Sequence, residues 1–155
     1  MEIRNATLED AAAAAELLRR SITELCVADH RNDPELLAPW VRNKTLESLA
    51  AWIELPSNSV LVAVTATTLL GIGIVTDQGE ITLNYVSPDA RFQGVSRALL
   101  AAMEARALAR GNVVVALTST VTARRFYLSV GYLDDPTRTD AYGAPMLSRH
   151  LQPPG

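Results

Sequence analysis

Residues 85–100 of the chain read YVSPDARFQGVSRALL, and they join a β-rich run to a helical one. A tight loop that contains Arg91, Gly94 and Ser96 separates the two runs. The first backbone N–H groups of a helix lack partners within the helix, and the helix dipole makes this end positive. A glycine at position 94 leaves room for a ligand to approach these groups. The loop therefore suits a diphosphate, although many strand-to-helix loops with one glycine bind nothing.

Two other phosphate-binding motifs do not fit this loop. A Walker loop ends in Gly-Lys followed by Ser or Thr, and no such triplet follows Gly94. A dinucleotide-binding Rossmann loop has three glycines at fixed spacing, and this loop has one. The loop residues alone leave open whether the segment binds a ligand or is purely structural.

Upstream of the loop, the pattern predicts a meander of three strands at residues 60–66, 70–76 and 81–86. The links between these strands are short, and Asp77-Gln78-Gly79 has the composition of a hairpin turn. Before the meander, the pattern predicts a strand at 2–6, a helix at 8–26, a loop at 27–34 and a helical region at 35–55. This helical region is expected to break near Pro39 or Asn43.

Downstream, the pattern predicts a helix at 94–110, a strand at 113–117, a helix from Thr120 or Thr122 to about residue 130, and a last strand at 142–151. The run at 113–117 is almost entirely apolar and follows a crossover helix, as a buried parallel strand does. The whole chain, residues 1–155, is thus predicted to be a single α/β (α+β) domain. Its mixed central sheet has an antiparallel meander and one βαβ crossover, and about four helices flank it.

The composition excludes several classes of protein. The chain has 155 residues, of which 48% are hydrophobic and 20% are charged, as in one packed globular domain. Its net charge of −3 provides no basic surface for nucleic acid. The N-terminal segment is acidic and no apolar run could span a bilayer, so a cytoplasmic protein with no membrane association is expected. One cysteine and two distant histidines form no metal-binding pattern, so no metal is expected.

The loop resembles the signature of GNAT acetyltransferases, in which Arg/Gln-x-x-Gly-x-Gly/Ala follows a strand ending in Val-x-Pro. Here the signature stands as Arg91-x-x-Gly94-x-Ser96, with a serine at the last small position. A second segment, TARRFYLSVGY at residues 122–132, is similar to the family's Ala-x-x-Phe-Tyr-x-x-x-Gly-Phe/Tyr element. One strand separates the two segments, as in the family, and the likeness covers nearly the whole chain. The resemblance implies a GNAT-like acyl-CoA N-acyltransferase fold.

The resemblance also implies a site for acetyl-CoA as co-substrate. The backbone of Tyr85 and Val86 would bond the pantetheine and the acetyl carbonyl, in a gap between two strands. Thr120 stands where the family often has an asparagine that bonds the pantetheine, and Phe126 belongs to the second signature segment. The pyrophosphate would lie on the residues of the loop, which are Arg91, Phe92, Gln93, Gly94, Val95, Ser96 and Arg97.

Three residues are candidates for the chemistry and the acceptor side. Tyr127 matches the family tyrosine that protonates the leaving thiolate, and the alternative for it is simple packing beside Phe126. Glu80, six residues before Val86, matches the general base of some members, and the alternative is a solvated side chain beside a turn. His30 lies in a loop that commonly lines the acceptor side in this family, and the alternative is an exposed histidine.

The function that the resemblance implies is transfer of an acetyl group from acetyl-CoA to a primary amine in a ternary complex. The amine is not identified by any motif. A module that binds acetyl-CoA without catalysis is an alternative, and so is a structural protein that shares the fold. A homodimer is compatible with the family, but no sequence feature defines an interface.

Overall fold

Strands and helices follow one another along the chain broadly as the hydrophobic periodicity predicts. The computed structural model of the protein describes residues 1–152. The strands in this range are β1 (Glu2–Asn5), β2 (Asn58–Thr65), β3 (Thr68–Thr76), β4 (Glu80–Val86), β5 (Val114–Leu117), β6 (Leu133–Thr139) and β7 (Pro145–His150). The α-helices in the same range are α1 (Ala11–Leu25), α2 (Val27–His30), α3 (Pro34–Arg42), α4 (Leu46–Glu54), α5 (Val95–Ala109) and α6 (Val121–Ser129).

All seven strands belong to one mixed sheet, in the order β1-β2-β3-β4-β5-β7-β6. The first four form an antiparallel meander. Helix α5 then crosses over and β5 pairs with β4 in parallel, after which β7 lies antiparallel between β5 and β6. The predicted sheet, with its antiparallel meander and one βαβ crossover, is confirmed.

The sheet buries a hydrophobic core on each of its two faces. On one face, α5 packs its buried residues Val95, Leu99 and Met103 into a cluster that also contains Tyr127 and Tyr132. On the other face, α1 and α4 pack against the inner residues of β2 and β3. Removal of apolar surface from water is the main driving force for this arrangement, at about 25 cal/mol per Å². Strand β4 therefore lies between two packed hydrophobic layers.

The first half of the chain contains more helices than the sequence analysis predicts. The predicted loop at 27–34 includes the one-turn helix α2. The helical region at 35–55 does break at Asn43, and Pro39 lies inside α3 instead of ending it. The side chains of Asp33 and Thr45 cap α3 and α4 by accepting bonds from backbone N–H groups. Six α-helices in the described residues thus replace the predicted count of about four.

The end of the chain differs from the prediction as well, because the sequence analysis predicts no strand where β6 lies. Its sequence, LDDPTRT, is mostly exposed and contains Pro136, so it has no alternating apolar pattern. Such residues are typical of an edge strand, where charges and proline prevent pairing with other chains. The last strand begins at Pro145 instead of residue 142, because the Asp140 carboxylate accepts backbone N–H bonds from Tyr142 and Ala144 and forms a turn.

The turn at Gly79 joins β3 to β4 and also contacts β5. Gly79 has a φ of +81°, and a Cβ placed on it would come within 2.7 Å of the Val114 carbonyl oxygen. Its own carbonyl accepts a bond of 3.0 Å from the Ala116 N–H. This close approach fixes the start of β5 beside the start of β4.

We expect Gly79→Ala to destabilise the protein more than Gly143→Ala, which is a matched control. Gly143 also has a φ of +81°, but a Cβ there would have no atom within 4 Å. Both variants incur left-handed strain of about 1–2 kcal/mol. The clash at Gly79 adds about 1–3 kcal/mol. Urea unfolding of both variants measures the difference, and equal losses would contradict this account of the turn.

Among residues 1–152, no helix combines the length and the apolar composition that crossing a membrane requires. The same residues contain no cluster of His, Cys, Asp and Glu side chains that could hold a metal ion.

Candidate active site

The sheet opens between β4 and β5, its two parallel neighbours. Their backbones pair only where Glu80 lies opposite Ala116 and Ile81 lies opposite Leu117. Just beyond this point, β4 contains a bulge. Consecutive residues of β3 pair with Leu83 and Ile81, so Thr82 between them is an extra residue of β4. Such a bulge bends a strand and increases its twist. The remainder of β4 therefore diverges from β5 and leaves a wedge-shaped gap.

Part of the β4 backbone faces this gap. The Ser87 N–H donates to the Leu70 carbonyl of β3 at 2.8 Å, and backbone groups of a strand alternate in direction. Tyr85 is therefore directed towards β3, whereas the N–H and C=O groups of Asn84 and Val86 point towards the gap. Tyr85 and Val86 are the two residues expected to bond a cofactor through the backbone. The backbone polar groups of Val86 point towards the gap, whereas those of Tyr85 point towards β3, although Tyr85 also lines the cavity.

The gap forms a cavity of about 440 Å³, which extends from the 91–97 loop to the end of α1. Its size falls within the usual range of small-molecule sites, about 300–1,000 Å³. Ser21 of α1 and Cys26, the residue that follows this helix, form one wall, and burial raises the pKa of the Cys26 thiol to about 11. The cavity brings together most of the residues that the sequence analysis selected, namely Tyr85, Val86, Arg91, Phe92, Gly94, Val95, Ser96, Arg97, Thr120, Phe126 and Tyr127.

The N-terminus of α5 forms one end of the cavity. Gly94, the residue before the helix, has a φ of +77°, and no side chain caps the first turn. Phe92 also has a positive φ, of 62°, and the residue is 93% exposed. The Arg91 guanidinium lies over the Phe92 ring, 4.7 Å from its centre. Uncapped N–H groups with arginines beside them have the charge and geometry that suit an anion. Gln93 is exposed and does not line the cavity.

The N-terminus of α6, in contrast, is closed by side chains. The Thr120 hydroxyl accepts a bond from the Ala123 N–H at 3.0 Å. The Asp29 carboxylate, which comes from α2, accepts bonds from the N–H groups of Val121 and Thr122 at 2.6 and 3.1 Å. A carboxylate at this position also interacts favourably with the helix dipole. The Asp29 bonds fix α6 relative to α2. Thr120 serves as a helix cap as well as part of the cavity wall.

Tyr127 is directed from α6 into the interior beside the cavity. Its side chain is nearly buried, at 5% exposure, with the rings of Phe126 and Tyr132 packed edge to face against it at 5.2 and 5.6 Å. Its Oη atom accepts a hydrogen bond of 3.2 Å from Asn84 Nδ2. Burial raises the pKa of Tyr127 to about 12, and the Asn84 bond acts in the opposite direction. The phenol therefore carries its proton at neutral pH and can donate it.

His30 lies elsewhere, in contrast to the sequence-based expectation. Its ring is buried, at 1% exposure, and does not line the cavity. Nε2 donates to the Ile22 carbonyl at 2.9 Å, and Nδ1 accepts from the Asn32 N–H at 3.0 Å. Both ring nitrogens are therefore used to hold the turn after α1. This placement fits neither a substrate-binding ring nor an exposed loop histidine.

Glu80 also lies apart from the cavity. It is half-buried at the closed end of the wedge, where β4 and β5 still pair, and it is absent from the cavity wall. The residue that the sequence analysis missed is Asn84, which lies on β4 opposite Tyr127. Asparagine is disfavoured in strands, and its presence in the β-rich run ITLNYV is the signal that could have identified it.

Comparison of the sequence with protein families gives one match. The family described as Acetyltransferase (GNAT) domain matches residues 13–148. That range contains the wedge, the 91–97 loop and Tyr127. No curated protein matches the sequence significantly.

Several solved structures share the fold over nearly the whole chain. The GCN5-related N-acetyltransferase from Rhodopseudomonas palustris is 24% identical, with a TM-score of 0.82 and coverage of 97% of this chain and 95% of that one. PaiA N-acetyltransferase from Thermoplasma acidophilum, solved with coenzyme A, is 20% identical, with a TM-score of 0.81 and coverage of 97% and 98%. YncA from Salmonella typhimurium, solved with its cofactor acetyl-CoA, is 20% identical, with a TM-score of 0.70 and coverage of 100% and 96%.

Proposed function

The chain belongs to the GNAT acetyltransferase family, and on that basis we propose that it transfers the acetyl group of acetyl-CoA to a primary amine. The observation that carries the proposal is the wedge between β4 and β5. One end of this cavity is an uncapped helix N-terminus, and the side chain of a protonated tyrosine lines it as well. The uncapped helix N-terminus fits an anionic acyl carrier, and the protonated tyrosine fits a leaving group that needs a proton.

The donor would lie along the wedge. The pyrophosphate of acetyl-CoA suits the N–H groups at the start of α5, where Arg91 and Arg97 add positive charge. The pantetheine would follow the open edge of β4, since the N–H and C=O groups of Asn84 and Val86 have no partner strand on that side. Coenzyme A and acetyl-CoA are the ligands of PaiA and YncA, which share the fold.

The reaction would proceed by direct attack. The amine nitrogen forms a bond to the acetyl carbon, the C–S bond breaks, and the CoA sulfur receives the proton of Tyr127. A backbone N–H of β4, such as that of Val86, would stabilise the negative charge that develops on the carbonyl oxygen. Because both substrates are held together in one cavity, proximity contributes to the rate. We assign deprotonation of the incoming ammonium to water, since Glu80 and His30 lie outside the cavity.

The test is release of CoA from acetyl-CoA in the presence of a panel of primary amines. The panel should include amino acids, polyamines, aminoglycosides and peptides with a free N-terminus. We expect at least one amine to accelerate thiol release and to gain an acetyl group, as detected by mass spectrometry. Saturable binding of acetyl-CoA without transfer to any amine would instead identify a CoA-binding module.

The pH dependence of kcat/KM follows from the pKa of Tyr127. Because burial raises this pKa to about 12, the phenol remains protonated through the neutral and mildly alkaline range. The rate should therefore rise with pH as the acceptor ammonium loses its proton, and it should not fall again below about pH 10. A pH–rate profile with the preferred amine measures this. A fall in rate with an apparent pKa near 8 would contradict the assignment of Tyr127 as the acid.

A further inference from the structure

Asn84 makes a contact that the proposed reaction does not by itself require. It stands in β4, and its Nδ2 atom donates to Tyr127 Oη at 3.2 Å. Its Oδ1 atom is buried and has no hydrogen-bond partner within residues 1–152. An apolar side chain of similar size would fill the same space without leaving an oxygen unpaired. A buried acceptor that lacks a donor is unfavourable for folding, so a requirement other than stability favours asparagine here.

The direction of this hydrogen bond determines what Tyr127 can do. A phenol has one proton to donate and an oxygen that accepts. Since the Asn84 amide donates to the oxygen, the phenol proton is not used by this contact. An amide turned the other way would present Oδ1 to the phenol and accept that proton. The observed orientation therefore leaves the proton available for a group bound in the cavity.

We propose that Asn84 is a positioning residue that holds the Tyr127 phenol with its proton directed to the leaving group and stabilises the phenolate left after transfer. The inference depends on the proposed function. As the C–N bond forms and the C–S bond breaks, the proton moves from Tyr127 Oη to the CoA sulfur. The nitrogen of the acetylated product then releases its surplus proton, and the phenolate recovers a proton through water. Asn84 Nδ2 remains the donor to Oη throughout.

The other side chains around Tyr127 pack against its ring and leave its hydroxyl oxygen to Asn84. The Phe126 and Tyr132 rings fix the plane of its ring but provide no hydrogen bond to Oη. The Tyr132 hydroxyl donates to Glu104 at 2.7 Å and is thereby occupied. Within the described residues, Asn84 is thus the side chain that contacts the phenol oxygen.

The first experiment is a double-mutant cycle with Asn84→Leu and Tyr127→Phe, using acetyl-CoA and the best amine of the panel. We expect Asn84→Leu to lower kcat about ten-fold, which corresponds to one lost hydrogen bond, with the Kd of acetyl-CoA unchanged. In the Tyr127→Phe background, Asn84→Leu should have almost no further effect. Additive losses, or a loss confined to acetyl-CoA binding, would overturn the proposal. Asn112→Leu is the control, because Asn112 donates its bonds outside the cavity.

A second experiment needs no turnover, so it remains informative if the proposed function fails. The chain has four tyrosines, which can be replaced by 3-fluorotyrosine and titrated by fluorine NMR. The spectrum of Tyr127→Phe assigns the signal of Tyr127. In Asn84→Leu, or in Asn84→Ala if the first variant does not fold, the pKa of that signal should rise by roughly one pH unit. An unchanged or lower pKa would overturn the proposal, whatever the outcome of the amine panel.

Discussion

Replacement of Tyr127 by phenylalanine is expected to lower kcat by about a hundred- to ten-thousand-fold, the usual contribution of a positioned general acid. The Kd of acetyl-CoA should remain nearly unchanged, because the lost hydroxyl acts on the sulfur only when the C–S bond breaks. The ring itself would remain, packed against Phe126 and Tyr132. Steady-state kinetics with an active amine, together with calorimetric titration of acetyl-CoA, measure the two quantities separately.

The matched control for this variant is Tyr132→Phe. Tyr132 is also a buried tyrosine, its ring packs against Tyr127, and its hydroxyl donates to Glu104. Because the partner is a carboxylate, loss of that hydroxyl should lower the free energy of unfolding by about 1.5–3 kcal/mol and leave kcat unchanged. If Tyr132→Phe and Tyr127→Phe reduced kcat equally, the effect would be one of packing, and the acid assignment would be wrong.

The second large effect is expected at the N-terminus of α5. Ser96 is half-buried in the first turn of this helix and lines the cavity. Ser96→Glu would place a carboxylate beside the site proposed for the pyrophosphate. Repulsion between this carboxylate and the pyrophosphate should weaken acetyl-CoA binding on the order of 100-fold. Calorimetric titration measures this change directly.

The same substitution should not destabilise the folded protein, although it weakens binding. A carboxylate in the first turn of a helix interacts favourably with the dipole, by about 0.3–1 kcal/mol. We therefore expect Ser96→Glu to retain or slightly raise the free energy of unfolding while it abolishes tight binding. Ser96→Gln, which has the same shape without the charge, should retain most of the affinity. Equal loss in both variants would indicate a steric effect and would argue against an anion at this site.

The sequence predicts those parts of the fold that bury a periodic apolar face. The three strands of the meander, α5 and β5 are such parts, and each lies close to its predicted position. Helix α2 and strand β6 are not. Helix α2 is a single turn, and its Asp29 side chain binds the N-terminus of α6, which is distant in the sequence. Strand β6 pairs at the edge of the sheet through its backbone, so its side chains carry no pattern.

The sequence predicts those parts of the candidate site that depend on local backbone conformation. Gly94 and the uncapped turn after it are features that local sequence encodes. The role of His30 could not be read in this way, because its two ring nitrogens bond backbone groups that only the folded chain brings near. Asn84 and Tyr127 are 43 residues apart in the chain, and only the folded chain brings their side chains together.

The most direct test of the central claim is the thermal unfolding midpoint with and without saturating acetyl-CoA, with ATP and NAD as controls. A ligand present at about a hundred times its Kd adds roughly 2.7 kcal/mol to the free energy of unfolding. For a chain of this size, each kcal/mol raises the midpoint by about 2–4 °C. We predict a rise of several degrees with acetyl-CoA and little change with ATP or NAD. No rise with acetyl-CoA would contradict both the cofactor site and the proposed reaction.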